Sequence, residues 1–228
     1  MIDRLKVAKP EDCLAGGGEM GALMRSLDWS NTLVGPVSSW PQSLRTAVSI
    51  ILASRFPMLI HWGPEYVQFY NDGFRPILGA RKHPGALGQP AYPWWAEIWD
   101  ILVPMFDRVM SGEGTWYENQ VVFPNRYGYT EEAYFTFSHS PIRDESGQVV
   151  GIFQAVTETT ERVLDERRLR TLHDLATHTA TVQVAQEACR IAVQILSQNA
   201  ADMPFALLYL LDETRTQAHL AGTAGLEP

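Results

Sequence analysis

The sequence predicts an α+β domain in which a five-stranded antiparallel sheet carries helices on one face. Three observations lead there. Short β-prone runs and helical stretches follow one another as two strands, several helices and three strands, an order that suits a layered α+β fold rather than alternating βαβ units. The last two strand candidates, 132–140 and 148–156, flank Arg143-Asp144-Glu145-Ser146-Gly147, a polar connection with the turn chemistry of an antiparallel hairpin. Between the two groups of strands, Trp95, Ile98, Trp99, Ile101, Leu102, Met105, Phe106, Val109 and Met110 recur at helical spacing, so one helix presents a long apolar face to the sheet.

Taken in order, residues 1–18 contain Gly16-Gly17-Gly18 and read as a flexible arm, because a glycine run is costly to fix. A helical leader is expected over 19–55. Met20, Leu23, Met24 and Leu27 repeat at helical spacing before Asp28-Trp29-Ser30 interrupts them. A second helix opens at Ser39-Trp40-Pro41-Gln42, with Ser and Gln at capping-box spacing and a proline suited to the first turn. Leu44, Ala47, Val48, Ile51 and Leu52 form its apolar face. The sheet domain is expected over 56–157. Runs 58–62 and 66–70 are β-prone and separated by Gly63-Pro64. Asn71-Asp72 starts a short helix through Phe74 and Leu78, and Gly79 stops it. Segment 80–92 is rich in Gly and Pro, and Pro104 is expected to kink or divide the long helix. After Gly112 and Gly114, a strand at 115–123 precedes the hairpin.

Residues 158–180 are expected to form a polar, charge-rich helix. Leu164, Leu169, Leu172 and Leu175 give it a narrow apolar stripe, shorter than a sustained heptad seam, which a homodimer partner could cover. Val184, Ala188, Ile191, Ala192, Ile195 and Leu196 then make a broader apolar face, followed by strands at 205–211 and 218–224. Two strands and one helix cannot close a core, so 181–228 is expected to be the cut-off start of a second domain.

Composition narrows the function. Hydrophobic residues at 46%, with nine Phe, eight Tyr and seven Trp, supply a core. A net charge of -8 and a pI near 5.2 disfavour the phosphate backbone of nucleic acid. Cys13 and Cys189 stand alone and outside any zinc spacing, which suits a reducing compartment. No apolar run reaches the roughly 20 residues that span a bilayer, and residues 1–18 lack a signal-peptide core. The expected location is the cytoplasm, with no membrane partner.

Several segments resemble known families. Phe69-Tyr70-Asn71-Asp72-Gly73-Phe74 with Ile77-Leu78-Gly79 resembles the part of a PAS domain where the second strand delivers an Asn or Asp to the first short helix. Pro141 to Gly151, running on through Val156-Thr157-Glu158-Thr159-Thr160-Glu161-Arg162, resembles the closing PAS hairpin and its Asp-Ile-Thr-Glu-like hand-off into a signalling helix. Val156 replaces the usual acidic residue there and Glu158 a hydroxyl, so the capping network differs. Asp28-Trp29-Ser30, Leu33, Gly35-Pro36, Trp40-Pro41 and Ser43-Leu44-Arg45 look like a leader found before the first PAS domain of many bacterial sensor histidine kinases. Residues 185–196, 205–211 and 222–228 look like the opening of a GAF domain. The resemblance implies the non-catalytic sensory region of a two-component histidine kinase, with a signalling helix after Thr157.

Enzyme motifs do not oppose that reading. There is no phosphate-cradling loop, nucleophile elbow or His-Glu-x-x-His pair. Leu172-His173-Asp174-Leu175 superficially matches a phosphoacceptor site, but Ala176 stands where an Arg is usual and no ATP-binding glycine box follows. His61, His83 and His139 are each open to two readings, a haem ligand of the kind some PAS domains use or a core-edge histidine bonded to backbone. No His lies on the helix before the third strand, and neither Cys lies where a flavin-thiol photoreceptor needs one, so neither haem nor flavin is expected. Cys13 precedes the domain as a bilin-binding Cys would, without the motif usual around it. Trp62, Phe69, Trp95, Trp99, Phe106, Trp116, Phe135 and Phe137 are expected to converge where helices cover the sheet. They suit the lining of a pocket for a flat apolar small molecule and equally a filled core. The resulting expectation is a sensory input module, with a ligand-free dimerisation module as the alternative.

Overall fold

The computed structural model describes residues 9–226. The chain forms two compact units that divide after Thr160, and each is described by itself.

The first unit is built on an antiparallel sheet of β1 (Met58–Trp62), β2 (Val67–Tyr70), β3 (Thr115–Val122), β4 (Ala133–Arg143) and β5 (Val149–Glu158). The strand order is β2-β1-β5-β4-β3, so β5 sits at the centre, between β1 and β4. Register places Leu59 opposite Gln154, and Gln154 opposite His139, while Ile60 pairs with Phe69. Because side chains alternate along a strand, Leu59, His61, Gln154, Val156, Phe137 and His139 share the inner face. Helices α3 (Arg75–Lys82), α4 (Tyr92–Trp95) and α5 (Trp99–Met110) cover it. The α+β class, the five strands and the placement of α3–α5 on one face of this sheet agree with the expectation.

Two details of the helical layer differ from it. Pro104 lies inside α5, which runs on past it undivided although position 104 offers no N–H to the Asp100 carbonyl. The break falls upstream, where a short 3-10 turn at Ala96–Ile98 separates α4 from α5. Gly79 does end the first turn of α3, as a non-helical residue at φ +67°, and the chain then resumes helical form.

The leader covers the other face of the sheet at β1 and β2. Helix α1 (Gly18–Ser26) and helix α2 (Gln42–Ala53) bury Met20, Met24, Leu44, Val48 and Ile51 in the same core as the sheet. Trp29 stacks on Phe69 at 5.0 Å between ring centroids, and Trp40 stands edge-on to both. Each indole N–H is satisfied, by the carbonyls of Met24 and Gly35 respectively.

The flexible-arm expectation fails over 9–18; residues 1–8 lie outside the described residues. Pro10–Leu14 form a 3-10 turn that buries Cys13 and Leu14, and Arg25 donates to the Leu14 carbonyl at 2.5 Å. The glycines serve close packing instead. Gly17 has φ +73°, and a Cβ there would lie 2.5 Å from Leu52 Cδ2, so the run permits a tight crossing that other residues would block.

The second unit contains α6, which begins at the junction (Thr160–Thr179), α7 (Ala185–Ser197) and the hairpin of β6 (Ala206–Leu211) and β7 (Ala218–Ala224). Arg167 on α6 holds Asp202 through two hydrogen bonds of 2.6 and 2.8 Å, and Asn199 donates to Thr171. Among the described residues, no helix is long and apolar enough to cross a membrane.

Candidate functional site

Between the inner face of the sheet and α3–α5 lies an apolar cavity of about 60 Å³. Its walls include Leu59, Ile98, Leu102, Met105, Phe135 and Phe137, with His61 and Gln154 as its polar members. An apolar cavity of about 150 Å³ takes a benzene ring and typical ligand pockets are about 300–1,000 Å³. The space in this structure therefore suits only a few heavy atoms.

The eight aromatic residues predicted to converge are divided among four places. Trp95, Phe135 and Phe137 line the cavity. Trp99 and Phe106 form a neighbouring cluster with Tyr66. Phe69 points the other way, into the leader, because it shares the face of Ile60 rather than of Leu59. Trp62 lies on that same outer face, partly buried, and Trp116 is 65% exposed there near the opposite edge of the sheet. Period-two alternation, applied with the correct register, removes Phe69, Trp62 and Trp116 from the pocket.

Polar side chains that the sequence reading passed over complete the inner face. Gln68 on β2 accepts from the Trp95 indole N–H at 2.7 Å and so fixes that ring. Gln154 on β5 lies between Leu59 and His139. The signal for both was present, since each is a glutamine at an inward position of an alternating strand.

His61 and His139 are not bonded to backbone. Both are fully buried; neither ring nitrogen of His61 has a hydrogen-bond partner among the described residues, and His139 has only the Gln154 side chain beside it, short of full hydrogen-bond geometry. Thr115 Oγ1 is also unpartnered. Such a buried atom costs about 1–3 kcal/mol. Phe106 packs over both rings, at 4.7 Å from His61 and 5.7 Å from His139. Desolvation, with repulsion from His139, lowers the His61 pKa to about 3; desolvation lowers that of His139 to about 4, with Gln154 opposing it. Both imidazoles are neutral at pH 7. His83 differs, since its Nδ1 lies 3.1 Å from the Tyr70 hydroxyl. Among the described residues no cluster of three His, Cys, Asp or Glu could hold a metal ion.

A chain of polar contacts leads from the cavity to the start of α6. Lys82 lies 3.9 Å from the Trp95 ring centroid and pairs with Glu97. Burial opposes ionisation of Glu97, but hydrogen bonds from Lys82 and the Asn125 backbone outweigh it and hold its carboxyl below the ordinary range. Residue Asn125 belongs to loop 123–132, as does Arg126, and Pro124 of the same loop lines the cavity. Arg126 is buried and bidentate twice, to Glu131 at 2.7 and 3.0 Å and to Glu158 at 2.7 and 2.8 Å. Gly79 makes room for it, because at φ +67° a Cβ would lie 2.7 Å from Arg126 Cβ. Thr159 donates its backbone N–H to the Tyr134 carbonyl and its hydroxyl to Asn119. Glu158 ends β5 and α6 begins at Thr160, so the clamp sits at the covalent exit from the sheet. The candidate helix residues Leu169 and Leu172 are 64% and 61% exposed, Leu164 and Leu175 are half-buried, and His173 is exposed.

A family model described as the PAS fold matches residues 65–164. Together with the strand order, this gives the first unit the PAS fold. Similar solved structures include a sensory box sensor histidine kinase from Vibrio cholerae, 18% identical over 51% of this chain and 93% of that one, with a TM-score of 0.36. The PAS domain of Bordetella pertussis BvgS is 16% identical, over 58% of this chain and 98% of that one, at a TM-score of 0.38. An RNA-binding light-oxygen-voltage receptor is 16% identical at a TM-score of 0.43, over 67% of this chain, which spans 43% of that receptor's length. Comparison with curated proteins gives no match.

Proposed function

We propose that this PAS domain is the cytoplasmic sensory input module of a bacterial sensor histidine kinase, and that it relays the state of its core to α6. The observation that carries this reading is the double bidentate clamp of Arg126 on Glu131 and Glu158. One side of the clamp is the loop whose Pro124 lines the cavity; the other is the last residue of the central strand before α6. A change in cavity occupancy that moves this loop changes the hold on Glu158. Such a relay requires two states of different stability that both ends bias, and a buried ion pair that is either made or broken is an element of that kind.

The second unit is read as the opening of a GAF domain. Its order of helix and hairpin supports this, as does β6, whose two faces are both apolar in the manner of a strand meant to be covered on each side. A ligand-free dimerisation module is the alternative, favoured by the exposed Leu169 and Leu172 on an otherwise charged helix. Native mass spectrometry of the 228-residue chain separates the two. A retained small molecule is the outcome of the sensory reading, and a dimer that carries nothing is the outcome of the alternative.

A further inference from the structure

Four adjacent strands each contribute a polar side chain to one band across the inner face of the sheet. Thr115 on β3 pairs with His139 on β4, His139 pairs with Gln154 on β5, and His61 on β1 lies one inward position along from Leu59, the partner of Gln154. Within this band the two imidazoles and the Thr115 hydroxyl together present five buried polar atoms without a hydrogen bond of full geometry among the described residues, the Gln154 side chain being within reach of His139. Native cores rarely leave even one such atom unmatched, and each instance calls for an explanation. Five in one band, crossing the sheet beside a cavity, share one explanation more readily than five separate ones. His61 and Gln154 belong to both the band and the cavity wall. Among the described residues no Asp, Glu, Lys or Arg lines that wall.

We infer that this band and the adjoining cavity recognise an uncharged molecule no larger than a single ring, carrying a hydroxyl, amide or azole group. A neutral imidazole offers one donor and one acceptor, so His61 and His139 can satisfy a group that itself does both. A carboxylate only accepts and an ammonium only donates. Either would also enter a site with no countercharge, where burial of an ion is heavily penalised. The apolar part of the molecule lies against Ile98, Leu102 and Met105, and a ring-sized occupant requires those side chains to move outward, beyond the present space of about 60 Å³. The low pKa values of both histidines agree with a site kept neutral.

This inference rests on the sensory reading for its consequence but not for its chemistry, and one experiment separates them. Phenol, benzene and benzoate are titrated into the full 228-residue protein at pH 7. The ring nitrogens of His61 and His139 are followed by long-range proton–nitrogen NMR, and amide exchange at 159–164 is recorded in parallel. Phenol is expected to bind about tenfold more tightly than benzene, the value of one well-made hydrogen bond, and to shift at least one of the two imidazoles, with benzoate inert. His61→Leu and His139→Leu are expected to abolish the preference for phenol. Should either fail to fold, His61→Gln, which keeps a donor and an acceptor, is expected to retain the preference. Equal affinity for phenol and benzene, unmoved ring nitrogens, or no binding by either would overturn the inference and leave hydration as the role of the band. If phenol binds as expected while exchange at 159–164 stays constant, the site stands and the relay to α6 fails.

Discussion

The side chain of Asn71 joins three pieces of chain that are distant in sequence. Its Oδ1 accepts from the backbone N–H of Met58 and Phe74 at 3.0 and 3.1 Å, while its Nδ2 donates to the carbonyls of Ile51, Ser54 and Phe56. The end of α2, the start of β1 and the start of α3 are therefore satisfied by one buried amide. Asn71→Ala leaves several of these groups unpaired and is expected to cost about 3 kcal/mol or more, measured by urea unfolding. From the sequence, Asn71 was legible as a helix-start residue, but its three carbonyl partners at Ile51, Ser54 and Phe56 were not, because only the folded chain brings them together. His61 and His139 were likewise legible as inward strand residues and illegible as an unpartnered band, which depends on register. Their titration gives a second residue-scale prediction. Both titrate near 6.5 when unfolded and at about 3 and about 4 when folded, so in between the unfolded chain binds more protons. Their contribution is complete above pH 6.5 and declines as pH falls below it, by up to about 1.4 kcal/mol per pH unit for each histidine. Replacing both with Leu is expected to flatten the pH dependence of unfolding between pH 6.5 and 5. A slope that survives unchanged would show that other groups produce it.

At the scale of elements, the strands and long helices were readable because their periodicities are strong, and the predicted edges fell within three residues of the observed ones, except that the long helix begins at Trp99 rather than Trp95. What could not be read was which element covers which face. Phe69 was assigned to the pocket and belongs to the leader, whose Trp29 and Trp40 enclose it. Gly16-Gly17-Gly18 looked like slack and is a close crossing. Asp72 extends that crossing by accepting the backbone N–H of Met20 at 2.9 Å, so it caps α1 from within the sheet domain. Deleting residues 1–18 removes the buried Leu14 and Gly18, the first residue of α1. The melting temperature is expected to fall by about 5 °C or more, and calorimetry showing no change would return the segment to the status of a loose arm. Gly79→Ala tests the clamp from its other side. A Cβ at positive φ, in contact with Arg126, is expected to destabilise the domain by about 1–3 kcal/mol; equal stability in the variant would show that the loop shifts freely.

For the molecule as a whole, two compact units are joined where β5 runs into α6. The helix was readable from its charge pattern and the hand-off from its family resemblance. The clamp was not, since Arg126 lies in a loop without periodic signal and its partners are 5 and 32 residues away. If α6 is also a dimer seam, polar replacement of both Leu169 and Leu172 should raise the dimer dissociation constant at least about tenfold without removing the unfolding transition of the PAS domain. Sedimentation and calorimetry on the same sample read both quantities. The central claim concerns the exit from the sheet, and its most direct test is hydrogen exchange in Arg126→Gln. Glu158 then loses its guanidinium partner while the strand pairing of β1, β5 and β4 remains. Amides at 159–164 are predicted to exchange about tenfold or more faster than in the wild-type chain, with protection in the three strands unchanged. Unaltered exchange at 159–164 would contradict the account, because it would mean that Arg126 exerts no hold on the start of α6.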